Sequence, residues 1–150
     1  VHNTMMDKVK TILLCFLFFL FTENLLFGKT NFFEEGKKLY DSKKFSKSKF
    51  KFEQDIVFNP KSENSYLYLA KIYKKEKNDD LQEKNLDTVI LLNPKNEEAI
   101  LLMTLLKIKK SDFKESEKLI KTFKRVCKKL CESELSLIEK LKVLKKSNQQ

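Results

Sequence analysis

The chain has 150 residues, with 31 Lys and Arg against 21 Asp and Glu, a formal charge of +10, and only two glycines and two prolines. That length suits one ordinary domain without a separate catalytic unit, and so few turn residues exclude a sheet protein and favour long helices joined by brief turns. The basic balance admits nucleic acid, an acidic membrane surface or an acidic partner. Lys is spread along the chain, however, and Arg, the specific phosphate reader, occurs once, as Arg125, so nucleic acid is not an expected partner and a non-specific nucleic-acid binder is only a remote alternative.

The amino end reads as a targeting segment. Met5 or Met6 is the expected start, Lys8 and Lys10 follow, and residues 12–21 form an unbroken apolar run. After Thr22, Glu23 and Asn24 a shorter apolar run, 25–27, ends at Gly28. A basic stretch, an apolar run and a small residue make a secretory signal over residues 1–28, with cleavage expected after Gly28. A spanning helix needs about 20 apolar residues, and Glu23 interrupts this one. Leu26 nevertheless fits poorly two positions before the cut, so retention of residues 12–27 as a membrane anchor stays open. Cys15 does not suit lipid attachment, because Leu14 is too large for the position before it. The expected location is exported, periplasmic or in the cell envelope, with anchoring by 12–27 as the alternative.

Beyond residue 28 the apolar periodicity predicts helices at 31–42, 44–58, 63–76, 79–92, 96–110, 112–126 and 133–146, followed by a frayed tail at 147–150. Asn31 with Glu34, and Asp112 with Glu115, read as capping boxes at the first and sixth. Asn96 caps the fifth, with Glu97 and Glu98 favourable against the helix dipole. Pro60 and Pro94 end the second and fourth, since proline cannot continue a helix and restrains the residue before it. The fifth helix is apolar at nearly every position from 99 to 108. Either it is buried all round, or Leu101, Leu105 and Ile108 stay in an exposed groove open to a partner or a second copy. Partial burial with an exposed groove is the expectation. The seventh helix carries one stripe, Leu135, Ile138 and Leu141 with Val143 and Leu144, suited to closing the last groove.

These helices repeat. Pro60 and Pro94 lie 34 residues apart in matching contexts, Ile56-Val57-Phe58-Asn59 and Ile90-Leu91-Leu92-Asn93, and Phe45, Asp79 and Phe113 follow the turns at the same period. The small residue of the first helix recurs as Gly36, Ala70 and Thr104, and the large one three further on as Leu39, Tyr73 and Lys107, where Ile108 is expected to substitute. Ser48, Gln82 and Ser116 match one another, as do Phe52, Leu86 and Ile120. Asp55, Val89 and Phe123 depart from the small residue expected near the end of each second helix. Over residues 29–126 this pattern resembles the tetratricopeptide-repeat (TPR) family. The resemblance implies an all-α fold, an α-solenoid of about three helix-turn-helix hairpins plus a C-terminal capping helix, spanning residues 29–146.

It also implies a function. In that family the first helix of each hairpin lines a concave groove that holds a partner's peptide or helix. The corresponding positions here are Phe33, Lys37 and Tyr40; Leu67, Lys71, Lys74 and Lys75; and Leu101, Leu105, Ile108 and Lys109. Lys mixed with apolar side chains suits a segment carrying acidic and hydrophobic residues. The asparagine-bearing carboxylate clamp of chaperone-binding relatives is not matched, because Lys37, Lys71 and Leu105 stand at its key position. The expected partner is therefore another protein, with a membrane involved only if the amino-terminal segment is retained and self-association left open.

No enzymatic constellation is legible. The only histidine, His2, precedes the expected start, Gly36 is the only glycine after residue 28, and the acidic pairs 34–35, 79–80 and 97–98 sit at helix starts. No cofactor, metal site or catalytic residue is expected. Cys127 and Cys131 form an even pair in a chain bound for an oxidising compartment. Four apart on a regular helix their Cβ atoms would be about 6 Å from each other, too far for a disulfide, so a bridge requires the helix to break near Cys127. The alternative is two half-buried thiols under the seventh helix.

Overall fold

The computed structural model describes residues 31–148. Within them lie seven helices and no strand: α1 (Phe32–Asp41), α2 (Phe45–Phe58), α3 (Glu63–Lys75), α4 (Asp79–Leu92), α5 (Glu97–Lys109), α6 (Phe113–Val126) and α7 (Ser133–Ser147). Every boundary agrees with the sequence expectation to within one residue. The expected signal or anchor, residues 1–28, lies outside the described residues.

Helices α1 and α2, α3 and α4, and α5 and α6 form three hairpins, each packed on the next, and α7 lies against α5 and α6. The turn inside each hairpin has the same construction. Lys43, Lys77 and Ser111, at 34-residue spacing, all adopt a left-handed backbone with φ of 57–60°. The following amide reaches back across the turn: Lys44 N–H donates to Leu39 O, Asn78 to Tyr73 O and Asp112 to Lys107 O, at 2.9–3.0 Å. These bonds satisfy the carbonyls that a helix end would leave unpaired. Asp112 and Asn96 cap as expected, accepting from Glu115 N–H and Ala99 N–H, and Asn78 accepts likewise from Leu81 N–H. Asn31 makes no side-chain cap.

The core changes character along the solenoid. Under the first hairpin it is aromatic, with Phe52 enclosed by Phe33, Tyr68, Leu69 and Ile72. In the middle it is aliphatic: Leu67, Ala70, Leu86, Val89, Ala99, Met103 and Leu106. At the far end Ile100, Ile108, Ile120 and Phe123 meet Leu137 and Leu141 of α7. The repeat positions occupy equivalent places whatever residue fills them. Gly36, Ala70 and Thr104 are all buried, as are Ser48, Gln82 and Ser116. Asp55, Val89 and Phe123 are buried too, so the departure from a small residue does not open the packing. Asp55 is tolerated because its carboxylate accepts from Ser65 Oγ at 2.5 Å.

Three expectations are corrected. Lys107 is not replaced by Ile108; it stays half-buried, its ammonium 2.5 Å from Glu83. The inward stripe of α7 is Leu137, Ile138 and Leu141, whereas Leu135 is 77 % exposed and Val143 and Leu144 are also exposed. Helix α5 keeps only part of the expected apolar groove: Leu105 and an edge of Ile108 line an open cavity shared with α7, whereas Leu101 does not. Ile108 is 3 % exposed, and Leu101 and Leu105 pack against the cluster shared with α7, because that helix covers the flank of the third hairpin.

Candidate partner-binding groove

The first helices of the hairpins, α1, α3 and α5, present Tyr40, Lys71, Lys74, Lys75, Glu98 and Leu102 around one open cavity of about 420 Å³. Each side chain is held by its neighbours. Tyr40 packs edge-on to Phe45 and Tyr68, with ring centroids 5.3 and 5.0 Å away. Lys71 pairs with Glu98 at 2.6 Å and lies over the Tyr68 ring. Lys75 lies over the Phe45 ring at 4.8 Å. Such contacts fix a long side chain's stem; the Lys71 ammonium is taken up by Glu98, whereas that of Lys75 forms no ion pair among the described residues. Burial raises the Tyr40 pKa above the ordinary phenol value, with Tyr68 and then Glu98 adding to it. Tyr68 is raised as well, first by burial and then by Asp41 and Glu98. Both hydroxyls therefore remain protonated donors at neutral pH.

Among the expected groove residues, Tyr40, Lys71, Lys74 and Lys75 come together here. Lys37 is exposed on α1. Phe33 is half-buried against Phe52 and Tyr68 and serves the core more than the groove. Leu67 is a correction: it is 6 % exposed and belongs to the middle core, because α3 is flanked on both sides by other hairpins. Leu105 and Lys109 instead line a second cavity of about 660 Å³ between α5 and α7, bordered by Val143, Leu144 and the edge of Ile108. Leu101 packs towards α7.

Sequence reasoning missed Tyr68, Glu98 and Leu102. The signal was present, since Tyr68 stands three before Lys71, and Glu98 and Leu102 are four apart, each spacing placing both residues on one helix face. A third cavity, of about 530 Å³, is lined by Asp80, Glu83, Lys84, Asp87 and Lys110. Its charges mostly satisfy one another: hydrogen bonds from Lys107 and then Lys110 hold Glu83 below the usual carboxylate range.

Cys127 and Cys131 are joined by a disulfide, with Cα atoms 5.2 Å apart. Helix α6 ends at Val126, and Cys127 turns out of the helix (φ −59°, ψ 141°), which brings the two residues within reach. Among the described residues no cluster of His, Cys, Asp and Glu could hold a metal, and no helix is long and apolar enough to cross a membrane.

No protein-family model matches the sequence, and no curated protein does. Solved structures do resemble the fold. The first TPR of Spaghetti (RPAP3), bound to the HSP90 peptide SRMEEVD, is 13 % identical over 79 % of this chain and 91 % of its own, with a TM-score of 0.66. The Sgt2 TPR domain from Aspergillus fumigatus is 14 % identical over 79 % of this chain and 80 % of its own, also at 0.66. At such identities the likeness is one of fold: the described residues adopt the TPR solenoid.

Proposed function

We propose that this TPR-fold chain is a protein-binding module without enzymatic activity, holding an extended segment or helix of a partner along α1, α3 and α5. One observation carries the reading. Lys74 and Lys75, which form no ion pair among the described residues, rim the same cavity as Tyr40, Leu102 and the Lys71–Glu98 pair, so cations and apolar surface are offered together. A complementary segment carries carboxylates beside hydrophobic side chains. The peptide in the Spaghetti complex, SRMEEVD, is of that general kind. Lys37, Lys71 and Leu105 stand at the key asparagine position of the chaperone-binding clamp, so we propose acidic-apolar segments as a class and not that peptide.

In the chain's own setting we propose an exported adaptor in the periplasm or cell envelope, on the strength of residues 1–28. The alternative is an assembly factor anchored by residues 12–27.

The test is a panel of peptides alternating apolar with acidic or with basic residues, titrated against the full chain. Acidic members should bind and basic members should not. Lys74→Glu with Lys75→Glu should weaken binding by at least about tenfold, ~1.4 kcal/mol. Equal binding of both signs, or an unchanged affinity in that variant, overturns the assignment of the groove.

A further inference from the structure

The turns that join one hairpin to the next are laced along a single edge. Glu63 Oε1 accepts from Asn93 Nδ2 at 2.9 Å and from Asn96 Nδ2 at 2.5 Å. Glu97, 34 residues on, accepts from the amides of Lys128, Lys129 and Leu130 at 2.8–3.0 Å. Residues 59–62, 93–96 and 127–132 therefore form one continuous border.

This border is both apolar and cationic. The repeat gives equivalent places to Val57, Leu91 and Arg125, and the next places to Phe58, Leu92 and Val126. Val57 is 73 % exposed, Phe58 66 % and Leu91 82 %, although each sits at the end of a helix that buries its other face. Lys61, Lys95, Lys128 and Lys129 are exposed beside them. None of these four, nor Arg125, forms an ion pair among the described residues. The nearby carboxylates are largely occupied: Glu63 and Glu97 by the turns, Glu98 by Lys71 and Glu134 by Lys124, leaving Glu132 exposed.

The opposite edge differs. Its turns, 42–44, 76–78 and 110–112, contain no apolar residue. Some charges around it are paired, Lys49 with Glu76, Lys109 with Asp79 and Lys110 with Asp80, while Lys43, Lys44 and Lys77 form no ion pair among the described residues. Both edges carry free lysines, but only the border at 57–61, 91–95 and 125–129 combines them with exposed apolar side chains.

We propose that the edge formed by residues 57–61, 91–95 and 125–129 docks on an anionic bilayer surface. Its apolar tips protrude from helix ends and are interleaved with cations. A fluid interface accepts such tips without shape complementarity, the apolar groups entering the acyl boundary while the lysines stay at the phosphates. The docking is independent of the groove and of whether residues 12–27 are retained.

The experiment uses the full chain with labelled methyl groups and vesicles of phosphatidylcholine with or without phosphatidylserine, each carrying a trace of lipid spin-labelled at the headgroup. In anionic vesicles the Val57, Leu91 and Leu92 methyl signals should broaden, while those of Leu135 and Val143, exposed on α7, stay sharp. Each edge lysine changed to Glu should lower partitioning into anionic vesicles by at least about fivefold. The variant with Lys61, Lys95, Lys128 and Lys129 all changed to Glu should lose the selective broadening. A retained apolar segment would hold the chain on both vesicle types, so the contrast between edge and α7 methyls is the readout. Equal broadening at both places, no broadening, broadening in neutral vesicles alike, or insensitivity to charge reversal overturns the proposal. Edge methyls broadened by a spin-labelled second copy of the chain, and not by lipid, would assign the surface to self-association and overturn it as well.

Discussion

A Cβ placed on Gly36 would sit 2.8 Å from Cε1 of Phe52, a ring that is fully buried between Phe33 and Tyr68. The ring has nowhere to retreat. Gly36→Ala gains about 1 kcal/mol of helix propensity, but overpacking costs about 1–3 kcal/mol, so net destabilisation is expected in denaturant unfolding. Lys77 presents the reverse case. It holds φ of 57° in a turn where the fold wants glycine, at a cost of about 1–2 kcal/mol for a residue with a Cβ. Lys77→Gly should therefore stabilise the protein by about 0.5–1 kcal/mol once the extra unfolded-state freedom of glycine is counted. A neutral or destabilising result would place the strain elsewhere. The 34-residue register was legible at Gly36, Ala70 and Thr104 because small size there is a packing demand. The left-handed turns were not, since Lys43, Lys77 and Ser111 give no residue-type signal for that conformation.

Helix α7 depends on a short structured loop. The Cys127–Cys131 bridge closes it and the Glu97 carboxylate grips three successive amides within it. Those bonds, from Lys128, then Leu130, then Lys129, lower the Glu97 pKa below its ordinary value of 4.5. The stabilisation is thus fully present above that ordinary value and is lost as pH falls through the lowered one. Amide exchange at Lys128, Lys129 and Leu130 should accelerate on acidification through that range, and Glu97→Gln should remove the acid dependence. Exchange that ignores pH beyond its intrinsic trend in the wild type would contradict the clamp. The existence and length of α7 were readable from its apolar spacing, but its buried stripe was not. Leu135 and Leu137 are equally apolar, and only the angle at which the bridged loop delivers the helix decides that Leu137 goes inward. The bridge itself needed a break at Cys127 that no proline or glycine announces.

Across the whole molecule, three hairpins and a closing helix hold α1, α3 and α5 in fixed register, and that register assembles the groove. Packing repeats every 34 residues and so could be read from one sequence. The groove could be read only in part, because its lining depends on what neighbouring helices cover: Leu67 and Ile108 were drawn into the core, while Tyr68, Glu98 and Leu102 emerged beside Tyr40 and Lys71. Two different chemistries stand on one body: lysines and aromatic rings around the cavity of α1, α3 and α5, and a border of apolar tips and unpaired cations along the edge of turns. The most direct test of the binding account is amide chemical-shift mapping during titration with an acidic-apolar peptide. Shifts should concentrate at Tyr40, Tyr68, Lys71, Lys74, Lys75, Glu98 and Leu102. Shifts confined to the outer faces of α2, α4 and α6, with those residues unmoved, would contradict it.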